Sequence, residues 1–190
     1  MKIASHNSWS FLPVRQWWLR PFAWMARCQS ISLQHQYLCG VRLFDLRIRF
    51  NGNIPVAVHG FVEYKTDVLS DIIELALQGD CSLRILLDLR NLKWTCWDHN
   101  KRDRQIYEQM SKFKRFVEYI RDTYPDLVIY DCYTMPHWWK VVVVMESPAL
   151  DKSAAKAGIW AIYPWLYAKT HNRKIRMENY GYVILDFIQY

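Results

Sequence analysis

Short β-rich segments, apolar along nearly their whole length, recur through this chain and constrain its fold more than any other feature. Strands that are buried on both faces have this composition. Eight segments fit the description: residues 2–5, 41–49, 55–58, 83–89, 127–130, 140–145, 158–163 and 182–187. The chain is therefore predicted to build a largely buried sheet from these segments.

Helical periodicity fills some of the intervals between the strands. Residues 32–39 and 67–78 each stop at a glycine, and residues 103–124 stop before Pro125. Strands that alternate with helices favour an α/β fold, here a compact, irregular TIM-type (β/α) barrel with reduced helices in its second half. An open parallel sheet is the alternative. At 190 residues, the chain corresponds to one domain.

The charge and the aromatic content favour an anionic partner. The formal net charge is +7, and the chain contains 10 Trp and 12 Tyr, many of them beside Lys or Arg. Side chains with an apolar body and a polar edge suit a lipid headgroup layer. Charge alone fits acidic phospholipid or nucleic acid. The composition leaves both kinds of partner open.

Cysteine usage and the first residues bear on the compartment. The five cysteines lie far apart and have neither a CxxC pair nor zinc-site spacing, which is typical of reduced thiols. The start of the chain lacks the apolar stretch of a signal peptide, and no run of 18 apolar residues occurs. The sequence predicts a cytoplasmic protein, peripheral at a membrane surface.

Ionisable residues interrupt five of the apolar strands at or near their ends. They are His6, Asp45, Arg47, His59, Asp88, Arg90 and Asp186. Asp45 and Arg47 are two residues apart, so both side chains point to one face of the strand, opposite Phe44. In a barrel these residues would meet at the carboxyl-end rim, where such folds place active sites. Burial of a charge costs free energy unless the charge is paired or has a function. Ionisable residues on five apolar strands therefore predict a functional site at this rim.

Each of these residues also has a structural interpretation. A single histidine near a strand end is usually a hydrogen-bonded structural residue, and an Asp-x-Arg pair on a strand is more often an internal ion pair. The active-site interpretation depends on the whole set. Histidines can transfer protons, arginines can bind phosphoryl oxygens, and carboxylates can orient both.

Four motifs in the first half of the chain occur in a distinctive order. They are Ser5-His6-Asn7-Ser8, residues 29–34 (QSISLQ), residues 40–47 (GVRLFDLR) and Val58-His59-Gly60. Together they resemble the opening half of the phosphatidylinositol-specific phospholipase C X-domain family, and Arg47 is similar to the metal-independent bacterial branch. The resemblance is specific from residue 3 to about residue 91, and it returns at residues 181–187 (GYVILDF), which resemble the last strand of the family. It implies one catalytic domain over residues 1–190.

The resemblance implies a phosphodiesterase that cleaves a phosphoinositide-type lipid by attack of the inositol 2-hydroxyl. The products would be diacylglycerol and a cyclic inositol phosphate. The implied partner is an anionic phospholipid, and we expect no bound nucleic acid and a monomer. By similarity, His6 is the general base, His59 is the general acid and Arg47 holds the phosphate. Asp186 would orient His6, and Asp45 would orient Arg47 or His59.

Asn7, Asp88 and Arg90 are implied as substrate-binding residues. No metal or other cofactor is implied, because Arg47 and Arg90 stand where the calcium-dependent branch has acidic residues, and cations cannot ligate calcium. Two departures concern activity and specificity. Asn7 replaces an Asp of the bacterial branch, and Glu146 stands where bacterial enzymes carry an inositol-contacting Arg.

Two alternatives stay open at this point. The first is a catalytically weak or inactive module on the same barrel that binds anionic lipid or nucleic acid. The second is a glycerophosphodiesterase of the related barrel type, which uses a metal. The sequence lacks the Glu-rich metal set of that family, which disfavours the second alternative.

A tryptophan-rich segment, residues 14–27, follows His6 and is predicted to lie on the same rim. Trp17, Trp18 and Trp24 are interleaved with arginines there, a composition typical of interfacial membrane anchors. An ordinary buried connection is the alternative, which two adjacent tryptophans disfavour. These three tryptophans are predicted to contact the membrane.

Overall fold

The computed structural model describes residues 2–92, 98–136, 141–145, 150–151, 164–172 and 181–189. The predicted strand at residues 158–163 and the residue Glu146 lie outside the described residues. Within them, the protein has a mixed α/β structure organised around one sheet. The mixed α/β class predicted from the alternating pattern is confirmed.

The predicted elements within the described residues occur in the predicted order with shifted ends, and two short strands, one α-helix and two 3-10 helices are additional to the prediction. The strands are β1 (Lys2–Ser5), β2 (Val41–Asn51), β3 (Ile54–His59), β4 (Val62–Glu63), β5 (Ser82–Leu87), β6 (Val128–Pro136), β7 (Val141–Met145), β8 (Leu150–Asp151) and β9 (Tyr182–Leu185). The α-helices are α1 (Leu33–Leu38), α2 (Val68–Gln78), α3 (His99–Thr123) and α4 (Pro164–His171). Two 3-10 helices, Ser8–Phe11 and Trp17–Ala26, lie between β1 and α1.

The main path through the sheet has the strand order β7-β6-β5-β2-β1-β9-β8. All neighbours on this path are parallel except β6 and β7, which are antiparallel. Among the described residues, no pairing joins β7 to β8. The sheet is therefore open over these residues, and the closed barrel that the sequence predicts is not seen in them.

Strand β3 differs from the barrel strand that the sequence predicts. It turns back after Gly52, whose φ of +60° suits glycine, and pairs antiparallel with β2, with Ile48 opposite Ala57. Because β3 is antiparallel to β2, it runs back along β2 and ends at His59, beside the middle of β2. His59 consequently reaches the rim through a hairpin and not through a parallel strand of its own.

Side-chain alternation gives the sheet one apolar face and one face that carries charges. On β2, Phe44, Leu46 and Ile48 are buried in the main core, as the alternation predicts. The helices α2 and α3 contribute to that core. A smaller apolar cluster on the opposite face includes Leu43. Leu43 and Asp45 are two residues apart and therefore share this face of β2. Asp45 and Arg47 thus lie on the side of the smaller cluster.

Capping residues explain where two helices begin and end. Asp67 accepts hydrogen bonds from the backbone N–H groups at the start of α2, and Gly79 ends this helix with a φ of +80°. Helix α3 begins four residues earlier than predicted because Asp98 caps it. None of the described helices combines the length and the apolar character needed to cross a membrane.

Candidate active site

His6 and Asp186 follow the carboxyl ends of β1 and β9, and Arg47 reaches His6 from the neighbouring strand β2. β1 and β9 are parallel, with Ser5 opposite Leu185. The residues that follow this pair, His6 and Asp186, therefore lie next to each other at one edge of the sheet. Nδ1 of His6 lies 2.6 Å from Oδ1 of Asp186, and Nε2 of His6 lies 2.7 Å from Nη2 of Arg47. The imidazole ring therefore lies between a carboxylate and a guanidinium.

These two neighbours determine where the ring proton of His6 lies. A guanidinium donates hydrogen bonds and never accepts them, so Nε2 must carry the lone pair that faces Arg47. The proton then lies on Nδ1 and is donated to Asp186. This tautomer leaves Nε2 as a proton acceptor, as a general base requires.

Asp45 is fully buried and binds two arginines. Its Oδ2 accepts from Nε and Nη2 of Arg47 at 3.0 and 2.9 Å, and its Oδ1 accepts from Nη1 of Arg84 at 2.7 Å. Burial alone would raise the pKa of Asp45, but Arg47 and Arg84 outweigh it and hold the pKa well below its usual range. Of the two partners predicted for Asp45, the structure shows the contact with Arg47.

Arg84 was not identified from the sequence. It is buried near the middle of β5, an otherwise apolar strand, and alternation places it on the same face as Asp88. The charge of Arg84 is the sequence feature that could have predicted its ion pair, because an arginine in the centre of a buried strand requires a buried counter-charge. The parallel register of β2 and β5 supplies Asp45 as that partner, with Asp45 directly opposite Arg84.

His59 faces His6 across the site. The ring centroids are 6.2 Å apart and the rings are nearly perpendicular, at 82°. Nδ1 of His59 lies 3.2 Å from the carbonyl oxygen of Ala26, and since a carbonyl only accepts, the proton is on Nδ1. Burial, and then the cations Arg47 and Arg90, lower the pKa of His59 well below its usual value. His59 is therefore neutral at pH 7 in the free protein.

Asp88 fixes the turn after His59 and also holds Arg90. Its Oδ2 accepts from the N–H of Gly60 at 3.0 Å, and its two oxygens accept from Nε of Arg90 at 2.8 and 3.0 Å. Burial alone would raise the pKa of Asp88, but its hydrogen bonds with Arg90 and the arginine charge keep it well below the usual range. Because the Asp88 side chain is fully buried, it lies behind Arg90, which is partly exposed.

Asn7 is connected to His59 through two intermediates. Its Nδ2 donates to the hydroxyl of Tyr64 at 3.4 Å, and that hydroxyl donates at 3.2 Å to the Ala26 carbonyl, which His59 also contacts. Asn7 has a left-handed backbone, with φ of 44°, which Asn tolerates better than most residues. Its side chain is buried, and Oδ1 has no hydrogen-bond partner among the described residues.

The Gln29 side chain links the ends of β1 and β9, next to His6 and Asp186, by hydrogen bonds. Its Nε2 donates to the carbonyl oxygens of His6 and Leu185 at 3.2 and 2.9 Å, and its Oε1 accepts from the N–H of Ile188 at 3.2 Å. The side chain is fully buried. Gln29 opens the motif QSISLQ, but its bridging role depends on contacts with residues more than 150 positions away along the chain.

The tryptophan-rich segment is exposed and adjoins the site. Its 3-10 helix, Trp17–Ala26, has no buried residue, and Trp17 and Trp18 are 72% and 58% exposed. Trp24 is 43% exposed. Ala26 ends this helix and provides the carbonyl that His59 contacts. The alternative of a buried connection is therefore wrong, and the end of the exposed segment, at Ala26, contacts His59.

The comparisons with known proteins bear on the fold. No family model matches the chain, and no curated protein matches it. Among solved structures, the chain is similar to the phosphatidylinositol-specific phospholipase C from Listeria monocytogenes, with a TM-score of 0.61 and 14% sequence identity. The match covers 98% of this chain and 88% of that chain.

The fold is similar to that of a phospholipase C. At 14% identity, the likeness concerns the fold alone. It agrees with the fold that the sequence resemblance implies. Assigning a reaction to this chain therefore depends on the geometry of its own side chains.

Proposed function

We propose that this protein is a phosphodiesterase of the phosphatidylinositol-specific phospholipase C type, acting on a phosphoinositide-type lipid. One observation carries the proposal: His6 lies between Asp186 and Arg47 in the tautomer of a base, with His59 across from it. Cleavage by a neighbouring hydroxyl needs a base, an acid and positive charge at the phosphoryl oxygens. The assignment of residues 1–190 to one catalytic domain, and closure of the sheet into a barrel, belong to the same proposal.

His6 is assigned to the first proton transfer. The inositol 2-hydroxyl displaces Nη2 of Arg47 from Nε2 of His6 and gives its proton to that nitrogen, while its oxygen attacks phosphorus. Asp186, already bound to Nδ1, stabilises the imidazolium that forms. Arg47 stays anchored to Asp45 and turns its donors toward the phosphoryl oxygens.

His59 is assigned to protonate the diacylglycerol oxygen as the bond from phosphorus to that oxygen breaks. The free protein holds His59 neutral, because burial and the charges of Arg47 and Arg90 disfavour its protonated form. A bound phosphodiester brings a negative charge to the same two arginines. Substrate binding then favours uptake of the proton that His59 must deliver. Exchange with water returns both histidines to their starting forms.

Positive charge at the phosphate is assigned to Arg47 and Arg90, with no metal or other cofactor. Each guanidinium is held by a buried carboxylate, Asp45 or Asp88, and so meets the substrate in a fixed orientation. A guanidinium also presents a planar fork of donors that matches two phosphoryl oxygens. Asp88 and Asn7 then act behind the substrate-binding surface, by positioning Arg90 and the Tyr64 hydroxyl.

A weakly active or inactive module that binds anionic lipid is the second candidate function. Two features favour it. Burial and the neighbouring arginines lower the pKa of His59, which disfavours the protonated form that an acid needs, and position 7, linked to His59 through Tyr64, carries an uncharged Asn. Both functions require binding of an anionic headgroup, so turnover separates them.

We further propose that the tryptophan-rich segment contacts an anionic bilayer and that the protein acts there as a peripheral monomer. Trp17 and Trp18 form an exposed edge-to-face pair with ring centroids 6.0 Å apart. The exposed cations of the segment are Arg15, Arg20 and Arg27. Exposed tryptophan beside arginine, in a chain of net charge +7, suits the interface of an acidic membrane. Docking there would present the site to headgroups.

The deciding experiment is incubation of the full chain with a panel of lipid phosphodiesters, with and without chelator, followed by phosphorus NMR. The expected result is a five-membered cyclic phosphate formed from phosphatidylinositol in both conditions. Binding of phosphatidylinositol vesicles without turnover would support the second candidate. Turnover that stops with chelator and returns with a divalent metal would support a metal-dependent phosphodiesterase and overturn the proposal.

A further inference from the structure

Cys28 lies beside the His6–Asp186 pair and has no role in the proposed reaction. Its backbone is fixed on both sides: the N–H donates to Oγ of Ser10 at 2.9 Å, and the carbonyl accepts from the N–H of Phe187 at 2.6 Å. The side chain is 5% exposed. The backbone of Cys28 is therefore held in place at the wall of the site.

Three different metal-ligating groups meet at this point. One ligand atom from each of His6, Cys28 and Asp186 can be chosen so that all three lie within 4.8 Å of one another. Zinc bonds of about 2.0–2.3 Å place the ligands of a tetrahedral ion about 3.3–3.8 Å apart. Shifts of about 1 Å in the side chains would bring the three atoms to that spacing.

We propose that His6, Cys28 and Asp186 form a binding site for a soft divalent cation such as zinc, and that the bound ion switches the phosphodiesterase off. A thiolate, an imidazole and a carboxylate are ligands that zinc takes, whereas calcium and magnesium prefer oxygen alone. Three protein ligands leave the fourth position open to water. Cys28 releases its proton on binding, and its thiolate with Asp186 balances the charge of the ion, so no excess positive charge faces Arg47.

The inhibitory effect rests on the proposed function and follows from the chemistry of imidazole. A neutral imidazole has one lone pair. If the metal takes that pair on either nitrogen of His6, the other nitrogen carries the proton and cannot accept one from the inositol hydroxyl. The metal also displaces the hydrogen bond between His6 and Asp186 or draws the carboxylate to itself. His6 cannot bind the ion and act as the base at the same time.

Cobalt(II) is the probe that tests the site, because a cobalt–thiolate bond gives an intense ligand-to-metal charge-transfer absorption. The full chain is stripped of metal and titrated with cobalt. We expect this absorption to saturate at about one ion per chain and to disappear when zinc, but not calcium, is added. Cys28→Ala should abolish the absorption, and Cys81→Ala, which removes a buried thiol elsewhere, should keep it. Cys28→Ser provides the same test with a side chain of similar size if the alanine variant does not fold.

The absorption does not depend on turnover, so the metal site and the proposed reaction can fail separately. No thiolate absorption in the wild type, or equal absorption in wild type and Cys28→Ala, would overturn the site. In an active preparation, zinc should inhibit at the concentrations that displace cobalt, and chelator should restore turnover. Undiminished turnover with zinc bound at Cys28 would overturn the inhibitory role while leaving the phosphodiesterase in place.

Discussion

Nη2 of Arg47 lies 2.7 Å from Nε2 of His6, while the same guanidinium is bound to Asp45. The proposed phosphate ligand and the proposed base are thus in contact before substrate arrives. Because Arg47 faces the lone pair of His6, the substrate must displace it, and the phosphate is the anion that draws it away. Changes at Arg47 should therefore affect both substrate binding and proton transfer.

Arg47→Lys should lower kcat by about 10²-fold even though the charge is kept, because an ammonium lacks the fork that binds Asp45 and phosphate together. Steady-state kinetics with phosphatidylinositol check the effect. Arg42→Lys is the control, since Arg42 forms a partly exposed ion pair with Asp80. Wild-type kinetics in Arg47→Lys would mean that Arg47 acts only as an internal ion pair.

Replacing His6 or His59 with Ala should lower kcat by about 10²–10⁴-fold, the contribution typical of a general acid or base. Circular dichroism and thermal unfolding should show that each variant stays folded. His99→Ala, at an exposed position on α3, is the matched control and should retain turnover. If either active-site variant keeps most of its activity, the two-histidine mechanism is wrong.

The pH dependence of turnover should differ between the free protein and the complex. Burial, Arg47 and Arg90 lower the pKa of His59, so the protonated fraction in the free protein falls as pH rises through that lowered value. The alkaline limb of kcat/KM, which reports the pKa of His59 in the free protein, should therefore lie below the usual histidine range. The alkaline limb of kcat, which reports the complex, should lie at higher pH, because bound phosphate counters the charges of the arginines. Profiles of both constants test this, and coincident limbs would contradict substrate-assisted protonation of His59.

Asn7→Asp should move the alkaline limb of kcat/KM to higher pH, because a carboxylate linked to His59 through Tyr64 favours the protonated imidazole. It should also lower the free energy of unfolding by about 1–3 kcal/mol, since the new charge is buried near Asp45. Kinetic pH profiles and denaturant unfolding measure the two effects. Asn51→Asp adds the same charge at an exposed position and should change neither.

Replacing Trp17 and Trp18 together with Ala should weaken binding to vesicles of phosphatidylcholine and phosphatidylinositol but spare hydrolysis of a short, monomeric substrate. The reason is their exposure on the segment whose last residue, Ala26, contacts His59, and salt should weaken wild-type binding by screening the charge attraction. Vesicle sedimentation and kinetics on both substrates separate the effects. The double variant of Tyr107 and Tyr119, exposed on α3, is the control. Equal losses on both substrates would remove the membrane-docking proposal.

Local patterns in the sequence determined the faces and the ends of most elements. The two-residue spacing of Asp45 and Arg47 placed both side chains on one face of β2, and Gly79 marked the end of α2. These features depend on the backbone period and on φ preferences, which act over a few residues. For the same reason, His6 and Asp186 could be placed at strand ends before their contact was known.

Only the tertiary structure decided which distant residues meet. The hairpin of β3 brings His59 to the site from an antiparallel direction, and the register of β2 and β5 pairs Arg84 with Asp45. The path of the loop after Ala26 places Cys28 beside His6. These contacts depend on strand register and long-range hydrogen bonds, which are fixed only when the sheet packs and which no short stretch of sequence encodes.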